Sequence, residues 1–238
     1  MNKAPTAKTA QSYARLAGLV YLTMIACGIF AEAFVRGSII VSGDAISTAA
    51  NLVSNEGLLR LGLLADMVLY TGDIALAILF YVLLKPVNHT LAIFAAATRL
   101  VMTAMLGFNL LNEFAALLIA NGSIALDGFD AAQQAELALF FMNLHGEGFV
   151  LGLVFFGVDC LLVGYLLMRS HFIPAFLGGL IMVSGVSYLA IGLINFVVPQ
   201  FGDYTMYFLL AAALGEFALT LWLLVMGLNK SKWSEVVA

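Results

Sequence analysis

Nine ionisable side chains lie inside or at the ends of long apolar runs of this chain: Glu32, Arg60, Asp66, Asp73, Arg99, Glu113, His145, Asp159 and Glu216. A lone charge at the centre of a membrane helix is unfavourable by roughly 2.5–3.5 kcal/mol on the insertion scale. Such groups are therefore expected to face inward and to pair, and by default they mark ion or proton paths. Carboxylates outnumber arginines in this set, which suits protons or cations. His145 adds a group whose ordinary pKa of about 6.5 lets it change charge around neutrality. Its neighbours could make it a proton relay, or part of a metal site of one histidine and two carboxylates.

The spacing of these residues carries more than their types. A helix turns about 100° and rises about 1.5 Å per residue. His145 and Asp159, 14 positions apart, therefore share a face within about 40°, with roughly 21 Å between their heights. Gly148 and Gly152 lie on the same face, where small residues admit a neighbouring helix. Glu147 points about 160° away, into other surroundings. Arg99 and Glu113 are also 14 positions apart. In an antiparallel hairpin, residues at equal height have a common midpoint in the numbering. Arg99 with Asp159 and Glu113 with His145 both have their midpoint at 129, inside the turn-like L-D-G-F-D. Asp73 with Arg99 and Arg60 with Glu113 both centre on the P-V-N turn. Asp66 and Asp73, a heptad apart, share a face. Two polar layers are expected. The inner holds Asp73, Arg99 and Asp159. The outer holds Arg60, Asp66, Glu113 and His145, with Glu32 near its end, and Glu216 falls between the layers.

The elements that must position these groups are membrane helices. The chain has 238 residues, 63% of them hydrophobic and 10% charged, and its mean hydropathy is +1.05. A soluble domain is nearer 45–50% apolar and about 25% charged. About 20 apolar residues cross the hydrocarbon core. Six stretches qualify: about 15–36, 58–84, 90–120, 137–168, 174–198 and 205–228. The first, with an apolar core from Leu16 to Val35, is too long for the h-region of a signal peptide. Separators such as K-P-V-N-H and R-S-H-F-I-P contain proline, which discourages helix continuation. Lys3, Lys8, Arg15, Lys85, Arg169, Lys230 and Lys232 collect on one side, so both termini are expected in the cytoplasm. The fold expected is all-α, one six-helix transmembrane domain over 1–238. Residues 38–57 are too polar to span. Ile46, Ala49, Ala50 and Val53 recur there at helical spacing, as in a short amphipathic helix, although an ordered loop fits equally. The first dozen residues and the last few read as frayed tails.

Several functions are excluded or stay open. A net charge of -4 offers no basic face for nucleic acid. Bis-histidine haem ligation needs two intramembrane histidines, whereas His89 and His171 fall in turns. No H-E-x-x-H or nucleophile elbow is present. Cys27 and Cys160 read as small buried hydrophobes. No metal and no cofactor is expected, and the partners expected are the bilayer and a small solute, proton or cation. The same residues also fit a purely structural role, because buried ion pairs can set helix register while adding little stability. Three readings follow: a small transporter or permeation protein, a non-catalytic accessory or assembly protein, and an intramembrane, metal-dependent, lipid-acting enzyme.

The stretches A-R-L-A-G-L-V-Y-L-T-M-I-A-C-G-I-F-A-E (14–32), L-L-R-L-G-L-L-A-D (58–66), F-Y-V-L-L-K-P-V-N (80–88), the run from His145 to Leu180 and G-E-F-A-L-T-L-W-L-L-V-M-G-L (215–228) resemble the bacterial membrane family named domain of unknown function 4386. That resemblance implies a multi-pass protein of the bacterial inner membrane with no assigned activity. No site residue is carried over from it.

Overall fold

The computed structural model describes residues 4–124 and 126–237. Lys3, counted above on the basic side, lies outside them. Helix α1 (Ala7–Ile29) runs into a π-helical stretch, Phe30–Arg36, and a last turn, Gly37–Ile39. The helices that follow are α2 (Ala45–Ser54), α3 (Glu56–Leu84), α4 (His89–Ala120), α5 (Ala131–Ser170), α6 (Ala175–Phe196), α7 (Thr205–Val225) and α8 (Lys230–Val237). A 3₁₀ segment, Pro199–Tyr204, leads into α7. Among the described residues no strand occurs. Six helical segments are long and apolar enough to span a bilayer: Ala7–Ile39, Glu56–Leu84, His89–Ala120, Ala131–Ser170, Ala175–Phe196 and Pro199–Val225. All-helical spans satisfy every backbone polar group internally, as hydrocarbon requires.

The outward faces carry Phe34, Leu64, Ile78, Phe108, Val186 and Leu214, all well exposed, while Asp66, Asp73, Arg99, Glu113 and Asp159 are buried. That distribution inverts the pattern of a soluble protein and matches a lipid solvent.

The described residues divide into two compact units. The first takes the residues up to Thr23, Gly72–Thr103 and those from Val150 onward; the second takes Met24–Thr71 and Ala104–Phe149. Helices α1, α3, α4 and α5 each contribute residues to both.

Within the first unit, α5 and α6 are locked by reciprocal glycines. A Cβ built on Gly164 would stand 2.7 Å from the carbonyl oxygen of Gly178, and one on Gly185 would stand 2.8 Å from that of Gly157. Both pairs centre on residue 171, in the turn joining the helices, so backbones touch at heptad intervals where only hydrogen fits. Overpacking such a contact is destabilising by about 1–3 kcal/mol, sometimes more. Gly178→Leu is accordingly expected to lower the unfolding temperature in detergent. Gly179→Leu, with nothing within 4 Å of the added Cβ, is the matched control. Equal melting of the two variants would contradict the close approach.

Among the described residues, Pro5, Gln11 and Trp233, which the sequence reads as parts of frayed tails, are held in place. The Trp233 indole N–H donates to the Pro5 carbonyl at 3.0 Å, and the ring is fully buried against Phe172. Gln11 donates to the Met226 carbonyl and accepts from the Leu228 amide. These bonds tie α8 and the start of α1 together.

In the second unit, the polar segment does form a helix, α2, capped by Asp44, whose carboxylate accepts from the Ser47 amide at 2.9 Å and hydroxyl at 2.6 Å. Those donors hold the Asp44 carboxyl below the usual carboxylate range. Its packed face differs from expectation. Ala45, Thr48 and Leu52 are buried, while Ile46 and Val53 are exposed. Polar Thr48 can turn inward because its hydroxyl bonds the backbone of Val41 at both N and O.

Candidate functional site

Among the described residues, each unit holds one buried ionic cluster. In the second unit the cluster is built around Arg36. The π-helical stretch widens the turn over Phe30–Arg36, with the Gly37 amide donating back to the Glu32 carbonyl. Such widened turns shift the facing of the residues they contain and are frequent at functional sites. Here Arg36 turns inward, 5% exposed, and Phe34 turns outward. The guanidinium then serves three carboxylates. Nη1 and Nη2 grip Asp66 at 2.7 and 3.4 Å, Nη1 reaches Glu113 Oε2 at 3.1 Å, and Nε donates to Glu32 at 2.7 Å. The planar fork of arginine suits such shared, bidentate pairing.

Glu113 is wholly buried. Its Oε2 also faces His145 Nε2 at 3.8 Å, while its Oε1 has no hydrogen-bond partner among the described residues. The other ring nitrogen, Nδ1, lies 3.2 Å from the Asn109 carbonyl. A carbonyl can only accept, so Nδ1 carries its hydrogen and Nε2 is the nitrogen left to exchange a proton with Glu113. Asn109 returns the contact, donating from Nδ2 to the His145 carbonyl at 2.7 Å, and accepts from Asn112. A side chain at Gly148 would overlap the Asn109 amide, so this glycine sets the approach of α4 to α5 in the second unit. The Glu32 side chain is 66% exposed, and solvation can take up its charge. The buried set is then one guanidinium against Asp66 and Glu113, neutral only when the Glu113–His145 pair holds a proton.

In the first unit the cluster is built around Arg99. Nη1 donates to Asp73 Oδ1 at 2.7 Å, and Nη2 stands 2.6 Å from Asp159 Oδ2. The guanidinium lies over the Phe156 ring, 4.9 Å from its centroid, and near Phe80 at 5.9 Å. These contacts favour a desolvated cation. The Phe156 ring also packs on Tyr188. Tyr188 donates to Glu216 Oε1 in a very short hydrogen bond, and Tyr21 donates to Oε2 at 3.0 Å. Three carboxylates and a single guanidinium are thus gathered from α3, α4, α5 and α7.

The residues singled out by sequence are mostly gathered, with one correction. Asp73, Arg99 and Asp159 meet in one unit; Glu32, Asp66, Glu113 and His145 meet in the other. Arg60 does not join them. Its side chain is 51% exposed and pairs with Glu56 one turn earlier at 2.7 Å. Six positions separate Arg60 from Asp66, which leaves the two side chains about 120° apart around α3. Arg36 takes the role expected of Arg60. Glu216 is held within the first unit by its two tyrosines. The two tyrosines lie outside the set that charge alone picks out of the sequence. Tyr188 and Glu216 centre on residue 202, inside the P-Q-F-G-D turn, so the midpoint rule could have found that pair. Among the described residues no group of three His, Cys, Asp or Glu is arranged to hold a metal.

Apolar, lipid-facing helices around buried ion networks define a multi-pass α-helical membrane protein. The chain belongs to the family described as domain of unknown function (DUF4386), whose match covers residues 16–227. It is also similar to an uncharacterized protein of Archaeoglobus fulgidus, 26% identical over 168 residues, which is 70% of this chain and 82% of that protein. No solved structure matches the chain.

Proposed function

We propose that this protein exchanges protons across the bacterial cytoplasmic membrane, alone or coupled to a small solute or cation, with both termini in the cytoplasm. One observation carries the reading. Glu113 is fully buried, one of its oxygens is shared by Arg36 and His145, and the other has no partner among the described residues. A purely structural bridge favours fully satisfied carboxylates, because an unmatched buried oxygen is destabilising. A group that must gain and lose a proton needs an oxygen on which to receive it. The exposed Glu32 carboxylate, clamped to the same guanidinium, supplies a polar connection from the surface.

The test is proton flux into proteoliposomes loaded with a pH-sensitive dye under an imposed pH gradient. Glu113→Gln and His145→Gln keep size and polarity while removing the exchangeable charge. Each is expected to slow flux on the order of 10²-fold, the usual contribution of a positioned proton-transfer group. Wild-type liposomes no faster than empty ones, or variants as fast as wild type, would refute the reading.

A second reading, an accessory protein whose ion pairs only set helix register, is favoured by how fully Arg36 is engaged by its three carboxylates. Under that reading the two glutamine variants change melting temperature and no flux is measurable in any form of the protein.

A further inference from the structure

A small cavity in the first unit adjoins Asp159. Its room for a water centre is about 10 Å³, roughly the least that holds one water molecule. Phe80, Tyr81, Ala95 and Ala96 wall it, and Arg99 and Asp159 are the charged groups on its lining. Phe80 and Ala95 are buried, whereas Tyr81 and Ala96 are half-exposed. The Tyr81 hydroxyl in turn meets Nε2 of exposed His89 at 3.3 Å.

Two carboxylates, Asp73 and Asp159, pair with this unit's buried guanidinium, a third, Glu216, lies in the same unit, and the three are not equally satisfied. Asp73 receives an aligned hydrogen bond from Arg99. Glu216 receives one tyrosyl hydroxyl on each oxygen. Asp159 is 1% exposed and stands 2.6 Å from Arg99 Nη2, yet its Oδ2 has no donor in hydrogen-bond alignment. With Oδ2 out of hydrogen-bond alignment, and with Arg99 and Asp159 both on the wall of an otherwise mostly apolar space of water size, the carboxylate is placed to bind a water there. The surrounding groups leave one negative charge uncompensated beyond Glu216. Asp73 on α3 and Glu216 on α7 are carboxylates, Tyr21 and Tyr188 donate their hydroxyl hydrogens to Glu216, Cys160 is buried beside Asp159 in the chain, and Arg99 is the lone cation among them.

We infer that this cavity is a hydration site from which Asp159 takes up and releases a proton, giving the first unit an exchange group of its own. Water in the cavity delivers the proton to Asp159, the carboxylate becomes a neutral carboxylic acid still beside Arg99, and the reverse step returns the proton to water. The inference deepens the proton-handling reading and rests on it for its purpose, but its test does not use flux, so the two can fail separately.

The test begins with radiolytic hydroxyl-radical labelling of the full-length wild-type protein in ¹⁸O-water. Phe80 is expected to take up ¹⁸O although it is only 4% exposed, while Leu76, fully buried and not on the cavity wall, stays unlabelled. Phe80 labelled no more than Leu76 would overturn the inference. Infrared difference spectra between high and low pH then assign the proton. A carboxylic-acid carbonyl band that shifts in deuterium oxide is expected in wild type and lost in Asp159→Asn; its full retention in that variant would also overturn the inference. Should Asp159→Asn fail to fold, Ala96→Leu, which fills the cavity, replaces it. Ala96→Leu is expected to abolish Phe80 labelling, and unchanged labelling counts against the cavity.

Discussion

Arg99→Met is expected to destabilise the folded protein by about 3–5 kcal/mol, the range for removing one partner of a buried ion pair. The reason lies in what remains. Asp73 and Asp159 are 2% and 1% exposed, and without the guanidinium two carboxylates face each other in a space with no other cation among the groups that line it. They would have to take up protons or draw water inward. The aromatic rings of Phe80 and Phe156, which now lie against a cation, would be left against a thioether. The measurement is unfolding in mixed detergent micelles, followed by helix content. The decisive companion is Arg99→Met combined with Asp73→Asn and Asp159→Asn. Replacing a whole buried ionic set is often near neutral, so the triple variant is expected to regain most of the loss. Strongly non-additive energies of that kind mark residues in one network. A triple variant less stable than Arg99→Met would show that the arginine is not held by its charge partners.

The second large effect separates two arginines that look alike in the sequence. Arg36→Met is expected to lose a comparable amount, about 3–5 kcal/mol, because Asp66 and Glu113 stay buried without a cation. Arg60→Met is expected to change stability by about 1 kcal/mol or less, as for an exposed ion pair. Arg60 is half-exposed and touches Glu56 along one helix face, whereas Arg36 joins the π-helical stretch to α3 and α4 within its unit. The same detergent unfolding assay ranks them. If Arg60→Met proved the more damaging, the inward turn at the π-helical stretch would be contradicted. Arg36→Lys offers a finer reading. Lysine keeps the charge but loses the fork that holds Asp66 with two nitrogens and Glu113 with one of them. An intermediate loss is expected.

These expectations rest on different kinds of information. The matched depth of Asp73 and Arg99 followed from numbering alone, because the short turn at 85–88 holds two antiparallel helices to a constant midpoint, and the same rule applied across residues 121–130 matched Arg99 with Asp159 and Glu113 with His145. The glycine contacts of α5 with α6, centred on 171, and the Tyr188 bond to Glu216, centred on 202, obey the same rule and could have been read the same way. Arg36 could not. Its partner Asp66 lies beyond α2 and its flanking loops, so no tight turn relates their depths, and its direction depends on a π-helical widening for which residues 30–36 carry no recognised signal. Tyr21 with Glu216 joins the first spanning helix to the last, which no turn connects.

Composition and apolar run length determined by themselves that six helices cross a membrane, because hydrocarbon admits only segments that satisfy their own backbone and carry few charges. Turn spacing further determined which charges share a depth. Tertiary structure alone decided the rest: which way each side chain points around its helix, that Arg36 and not Arg60 enters the core, and that Glu216 takes two tyrosines. Depth along a helix is linear in residue number and survives any packing. Direction around the axis and the choice of neighbouring helix are set only when all the helices pack together.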